Sequence, residues 1–186
     1  MIKELPKEQV TLVTQRLKLR PLHMKDVESI VDIHSDKDMA LLMSDSIPVP
    51  YKTKDAVKFV ENSYINYREK ENIEFCITLK DENELIGVVG IDINQKDDHV
   101  TLGYWLGKAW WGKGYMSEAV SEVVAYCFEE LEIHRVASHH FHPNIASGKV
   151  MQKAGLKCEG RRKEHYKKGG IFFDIIDYGV VKSEWK

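Results

Sequence analysis

The stretch Leu102–Ala119, L-G-Y-W-L-G-K-A-W-W-G-K-G-Y-M-S-E-A, constrains this chain more than any other. Val100 to Leu106 alternates apolar residues as a buried strand does. Gly107 to Gly114 is a tight turn with Trp110 and Trp111 at its centre. Met116, Ala119, Val120, Val123, Val124, Cys127 and Leu131 then recur at helical spacing, so an amphipathic helix follows directly. A strand that passes through glycines into a helix can cradle an anion. Glycine lets the backbone approach closely, and the first-turn N–H groups of a helix lack partners of their own. Gly112 and Gly114 stand where the helix begins. Alone, a G-x-G pair equally describes the start of a helix in any α/β protein.

Bulk composition narrows the classes. A net charge of −2 gives no global basic field for nucleic acid or an anionic membrane, so a strongly anionic ligand must be held by local groups. No apolar run reaches spanning length, and the start of the chain lacks the apolar core of a signal peptide. Cys76, Cys127 and Cys158 are odd in number and widely spaced, which suits buried thiols in a reducing compartment. A cytoplasmic enzyme or binding module is the expectation.

In chain order, residues 1–13 are expected to form a loosely held leader to one domain spanning 1–186. Arg16–Pro21 alternates as a half-exposed strand. Asp26 is placed to cap a helix through Ile33, a short helix is expected over Asp38–Met43, and Ile47–Pro50 is a proline-bracketed loop. Thr53 is the expected N-cap of the next helix. Glu74–Leu79, Leu85–Ile93 and the strand from Val100 form an antiparallel meander, with Gly87 and Gly90 marking a bulge or a close neighbour. Arg135–Phe141 follows the central helix and is therefore parallel to the strand before it. Asn144–Ala154 is a helix closed by Gly155, and Leu156–His165 and Ile171–Val181 are strands joined by the turn Lys167–Gly170.

The segment N-I-A-S-G-K-V-M-Q-K-A-G-L, Asn144–Leu156, decides between the phosphate cradle and an ordinary helix start. With the glycine turn upstream it resembles the GNAT superfamily of acetyl-CoA-dependent N-acetyltransferases. Within it, Asn144, Ser147, Lys153, Gly155 and Leu156 resemble the branch that acetylates ribosomal-protein N-termini, the RimJ/RimL type. The element order β-α-α-β-β-β-α-β-α-β-β agrees. The implied fold is α/β (α+β): a mixed, mostly antiparallel central sheet, splayed between the fourth and fifth predicted strands and flanked by helices. Two positions depart from the pattern. Ala109 stands where the glycine loop opens with Gln or Arg, and Met151 stands where many members carry a Tyr that protonates the leaving thiolate.

The resemblance implies a cofactor site. Pantetheine would lie beside Trp105 and Leu106, where a strand N–H near Trp105 would stabilise the oxyanion. Pyrophosphate would sit on the N–H groups from Trp111 through Gly112, Lys113, Gly114 and Tyr115 to Met116. Lys113 and Lys149 are candidate phosphate partners, though a solvated lysine accounts for each nearly as well. Asn144 suits a helix N-cap without any ligand, and a hydrogen bond to the pantetheine arm is the alternative. Ser147, under the resemblance, faces the sulfur as proton donor. Glu164 is the candidate base, with Glu74 and Asp92 as alternatives on central strands. His140 and His142 share a strand face, which would suit two ligands of a metal site, but no further His or Cys has ligand spacing, and no metal is expected; His142 is a further candidate base or substrate contact.

The expected reaction is acetyl transfer from acetyl-CoA to an amine in a ternary complex. A protein N-terminal α-amine is the first acceptor, and a small amine (polyamine or aminoglycoside) the second. A non-catalytic acyl-CoA-binding module is the competing class, and a homodimer is compatible with either. Dinucleotide binding fails because Ser117 stands where the third glycine of that fingerprint belongs.

Overall fold

The computed structural model describes residues 4–43 and 47–186, and for residues 40 and 41 the backbone alone. Its frame is an eight-stranded sheet in the order β1-β2-β3-β4-β5-β6-β8-β7. The strands are β1 Leu12–Val13, β2 Leu17–Pro21, β3 Asn72–Leu79, β4 Gly87–Asn94, β5 His99–Leu106, β6 Arg135–Phe141, β7 Lys157–Lys168 and β8 Ile171–Val181. All neighbours are antiparallel except β5 and β6, as the intervening helix requires. The helices are α1 Val27–His34, α2 Lys37–Leu42, α3 Thr53–Glu69, α4 Tyr115–Glu129 and α5 Ile145–Lys153.

Period-two alternation on β3 sends Ile73, Phe75 and Ile77 to one face and Cys76 to the other. The first face packs Val89, Ile91 and Leu102 against Val120, Val123, Val124 and Cys127 of α4 and Met151 of α5. The second packs Val88 against Ile30 of α1 and Ala56 and Val60 of α3. Helices α4 and α5 therefore share a side of the sheet, with α1 and α3 on the other. Gly148 lets α5 close down: a Cβ there would lie 2.8 Å from His140 Nε2 and 3.0 Å from Tyr178 Oη.

Residues 4–13 lie against the fold: Leu12 pairs with Leu19, Leu5 and Val10 pack on the core, and Gln9 Nε2 donates to the Glu74 carbonyl. Two local expectations are corrected. Thr53 is the first helical residue, not the cap. Lys52 is the cap residue, and its N–H is held by Asp55 Oδ2 at 2.9 Å. Asp26 occupies the N-cap position of α1 without a side-chain cap bond, because Arg20 and the His23 N–H engage its carboxylate. Gly87 and Gly90 sit in an unbroken register. Each has a close neighbour: a Cβ at 87 would meet the Trp105 carbonyl, and one at 90 would overlap the Glu74 carboxylate.

Candidate active site

The sheet opens where β5 leaves β6. Pairing holds only for His99–Thr101 against Arg135–Ala137. Beyond it, Ser138 Oγ donates to the Leu102 carbonyl at 2.9 Å, and the strands then diverge. β5 stays paired with β4 throughout, so its other edge is left open from Tyr104 onwards. The Gly107 N–H donates to Ile86 beside β4. Antiparallel alternation turns the Trp105 N–H the same way, and the N–H groups of Tyr104 and Leu106 towards the gap. The gap-facing donors are thus the neighbours of Trp105, not Trp105 itself.

Helix α4 begins on the far side of this gap. Gly112 and Gly114 have φ of 74° and 81°, left-handed values that favour glycine. Gly114 is the N-cap and offers no side chain, so the first-turn N–H groups of Tyr115, Met116 and Ser117 keep their donors free of a side-chain cap. The turn is pinned by Arg16, the residue just before β2. Arg16 Nη1 donates to the Lys113 carbonyl at 3.0 Å and Arg16 Nε to Glu118 Oε2 at 2.6 Å, while its guanidinium lies 4.7 Å over the Tyr115 ring. Sequence reasoning passed over Arg16, because a charged residue at the start of an alternating strand carries no signal of a partner 97 residues away.

Between the gap, α4 and α5 lies a cavity of about 350 Å³. Of the residues singled out in the sequence, Trp105, Leu106, Trp111, Gly112, Gly114, Tyr115, Met116, Asn144, Ser147 and Lys149 line it. Lys113 does not; its Nζ lies 4.8 Å over the Trp110 ring. Glu164 does not either. It is exposed on β7 with φ of 48°, in a stretch where the β7–β8 register shifts, and its N–H donates to Asp174 Oδ1. Met151 is buried in the core rather than in the cavity. Lys153, part of the branch pattern, also lines the cavity, and Met39, Tyr104 and Val150 are lining residues that sequence reasoning did not single out.

Asn144 is the N-cap of α5: its Oδ1 accepts from the Ser147 N–H at 3.2 Å. The Ser147 hydroxyl is therefore spared capping duty and meets Tyr104 Oη at 2.8 Å across the gap. Trp111 Nε1 donates to the Leu106 carbonyl at 2.6 Å, which ties the turn to the end of β5. Trp110 packs on the main core. On the opposite face, His34 stacks on Tyr51 at 4.4 Å and meets Trp105 edge-on at 4.6 Å.

Glu74 lies on that same face beside Asp92 and Asn72. Burial, then the nearby Asp92 charge, push its carboxyl up to about 8, against a weaker opposing hydrogen bond from Asn72. The folded chain therefore holds a proton there that the unfolded chain has released above the ordinary value of 4.5. Its stabilising contribution is complete below about pH 4 and is lost as pH rises towards about 8. Glu74→Gln removes this dependence. Its melting temperature should gain on the wild type by about 3 °C or more between pH 5 and pH 8; parallel pH–melting curves for the two proteins would contradict the assignment. Among the described residues, no group of three His, Cys, Asp or Glu is placed to hold a metal ion. Among the described residues, no helix is long and apolar enough to cross a membrane.

A sheet splayed beside an uncapped, glycine-led helix is a frame for a long anionic ligand that pairs with a strand edge. The chain matches the Acetyltransferase (GNAT) domain over residues 16–157 and belongs to that family of acetyl-CoA-dependent acetyltransferases. It is 30% identical over 172 residues to an uncharacterized N-acetyltransferase, YoaA, of Bacillus subtilis, covering 92% of this chain and 96% of that one. It is 26% identical over 180 residues to the [ribosomal protein uS5]-alanine N-acetyltransferase of Escherichia coli, covering 95% and 93%. In structure it resembles RimL, a ribosomal L7/L12 α-N-protein acetyltransferase solved with coenzyme A. The TM-score is 0.83 at 20% identity, over 91% of this chain and 96% of that one.

Proposed function

We propose that this acetyltransferase acetylates the α-amine at the N-terminus of a protein, and that the cavity between β5, α4 and α5 holds its acetyl-CoA. The observation that carries the cofactor site is the uncapped start of α4, led by two left-handed glycines and open to a cavity beside the unpaired edge of β5. The acceptor rests on kinship with the E. coli enzyme, whose name states its substrate.

The N–H groups of Tyr115, Met116 and Ser117 suit the pyrophosphate, with Lys149 and Lys153 as nearby cations. The β5 edge at Tyr104 and Leu106 suits the amide-bearing pantetheine arm and the oxyanion. When bound, acetyl-CoA supplies the acetyl group as a thioester, whose transfer forms a C–N bond and breaks the C–S bond. An N-terminal α-amine has an ordinary pKa near 8, so an appreciable fraction is already neutral at working pH and a strong base is unnecessary. With Glu164 outside the cavity, solvent is the proposed first acceptor of the amine proton. Ser147, in the first turn of α5 with its hydroxyl on the cavity, is the proposed donor towards sulfur.

Ser147→Ala is expected to lower kcat by roughly tenfold to a hundredfold with the KM for acetyl-CoA nearly unchanged. Because Asn144 does the capping, its melting temperature should stay close to wild type. An unchanged kcat in the folded variant removes Ser147 from the mechanism. The acceptor is tested by thiol release from acetyl-CoA across N-terminal peptides, the same peptides with blocked α-amines, polyamines and aminoglycosides. Turnover confined to free α-amines is expected. Faster turnover of a polyamine or aminoglycoside would replace the protein acceptor with a small one.

A further inference from the structure

The phenol that α5 lacks at Met151 is present on the facing strand. Tyr104 projects from β5 across the splay to the first turn of α5. Its Oη is 2.8 Å from Ser147 Oγ and 3.1 Å from the Ser147 carbonyl oxygen. Both residues line the cavity. We infer that Tyr104 is a positioning residue for Ser147, and that the two hydroxyls form a switch which turns the Ser147 O–H towards the cavity as a hydrogen-bond donor when negative charge appears there.

The switch follows from counting donors and acceptors. The Ser147 carbonyl can only accept, so at 3.1 Å the phenol O–H is its donor in one arrangement. The Ser147 hydroxyl then donates to the phenol oxygen, and its proton is occupied. In the other arrangement the phenol O–H donates to Ser147 Oγ, and the serine proton points away from Tyr104. The two differ only by rotation of two hydroxyl hydrogens, with no heavy-atom movement. A neutral thioester sulfur is a poor acceptor and does not compete with the phenol oxygen. A thiolate is a strong one, and hydrogen bonds to ionised acceptors are roughly twice as strong as neutral ones. The second arrangement is therefore favoured as charge builds on sulfur, so the interaction stabilises the transition state more than the ground state.

Tyr104 keeps its proton throughout. Burial, more than the opposing hydrogen bond from Ser147, pushes its phenol up to about 12. A phenol in that range does not surrender its proton to a thiolate whose ordinary pKa is near that of cysteine, about 8.5, and the less acidic Ser147 hydroxyl also keeps its proton, stabilising the thiolate as a hydrogen-bond donor while solvent supplies the proton that ends on sulfur. Tyr104 thus orients and polarises Ser147, and Ser147 makes the contact with sulfur. No proton is consumed within the pair.

The inference rests on Ser147 facing the sulfur, and the test separates the two claims. Binding of free coenzyme A is measured by calorimetry across the pH range where its thiol ionises, alongside desulfo-coenzyme A as a ligand without sulfur. Wild type should bind coenzyme A about tenfold tighter above the thiol pKa than below it, about 1.4 kcal/mol, while desulfo-coenzyme A shows no such step. Tyr104→Phe and Ser147→Ala should each lose most of the step while still binding desulfo-coenzyme A. In turnover, Tyr104→Phe should lower kcat several-fold with little change in KM, and should have no further effect in a Ser147→Ala background. Failure of wild type to bind either ligand would overturn the cavity assignment itself. A wild type that binds both ligands with no step would place Ser147 away from the sulfur. A step lost in Ser147→Ala but kept in Tyr104→Phe, or additive kcat losses in the double variant, would overturn the switch alone.

Discussion

Asp26→Ala is expected to cost about 3–5 kcal/mol of stability. Arg20 and Asp26 form a two-pronged ion pair at 2.7 and 2.8 Å, with side chains only 6% and 3% exposed. Arg20 also donates to the carbonyls of Pro21 and Asn83, and Asp26 also accepts from the His23 N–H. Removing the carboxylate leaves a buried guanidinium without a counter-charge and frees the turn that enters α1. At the usual slope for a domain of this size, the melting temperature should fall by about 10 °C. Replacing both partners together with apolar residues should cost clearly less than the single change, because the penalty lies in the orphaned charge. Equal losses in the single and double variants would contradict that origin. The consequence reaches the cavity, since α1 leads into α2, whose Met39 lines the wall, and Ile33 packs against Gly107.

Gly114→Val should reduce affinity for acetyl-CoA at least about tenfold, or 1.4 kcal/mol, with the secondary structure retained. At φ of 81° a β-branched residue is strained whatever space surrounds it. The space here is itself limited, since the new Cβ would lie 3.4 Å from Arg16 Nη2. The turn must therefore relax, and the N–H groups of Tyr115 and Met116 lose their common aim. Calorimetric titration beside far-ultraviolet circular dichroism measures both halves. A folded Gly114→Val that binds acetyl-CoA as the wild type does would move the pyrophosphate site elsewhere.

Elements with a strong local signal were legible in the sequence. The β5–turn–α4 unit, β6 and the Asn144-capped α5 carry periodicity, glycines and a cap residue within a few positions, and they hold most of the cavity lining. What escaped depends on partners distant in sequence. Asp26 and Thr53 look like helix caps by residue type. The buried Arg20 claims the first, and Asp55 acting on Lys52 shifts the helix start away from the second. Glu164 resembles a site carboxylate by position, and it stands outside the cavity lining, in a stretch of β7 where the register with β8 shifts. Arg16 and Tyr104 gave no warning at all. One reaches Glu118 and the other Ser147, contacts fixed only when β2 approaches the start of α4 and β5 splays from β6.

The splayed end of β5 and the start of α4 are proposed to form an acetyl-CoA site. Its most direct measurement is the melting temperature of the wild-type chain as acetyl-CoA is raised from micromolar to millimolar concentration, with NAD as the control dinucleotide. A ligand that binds only the folded state at a hundred times its Kd adds about 2.7 kcal/mol, which for this size is a rise of roughly 5–10 °C. A concentration-dependent rise with acetyl-CoA and none with NAD is the predicted result. No rise at millimolar acetyl-CoA would contradict it.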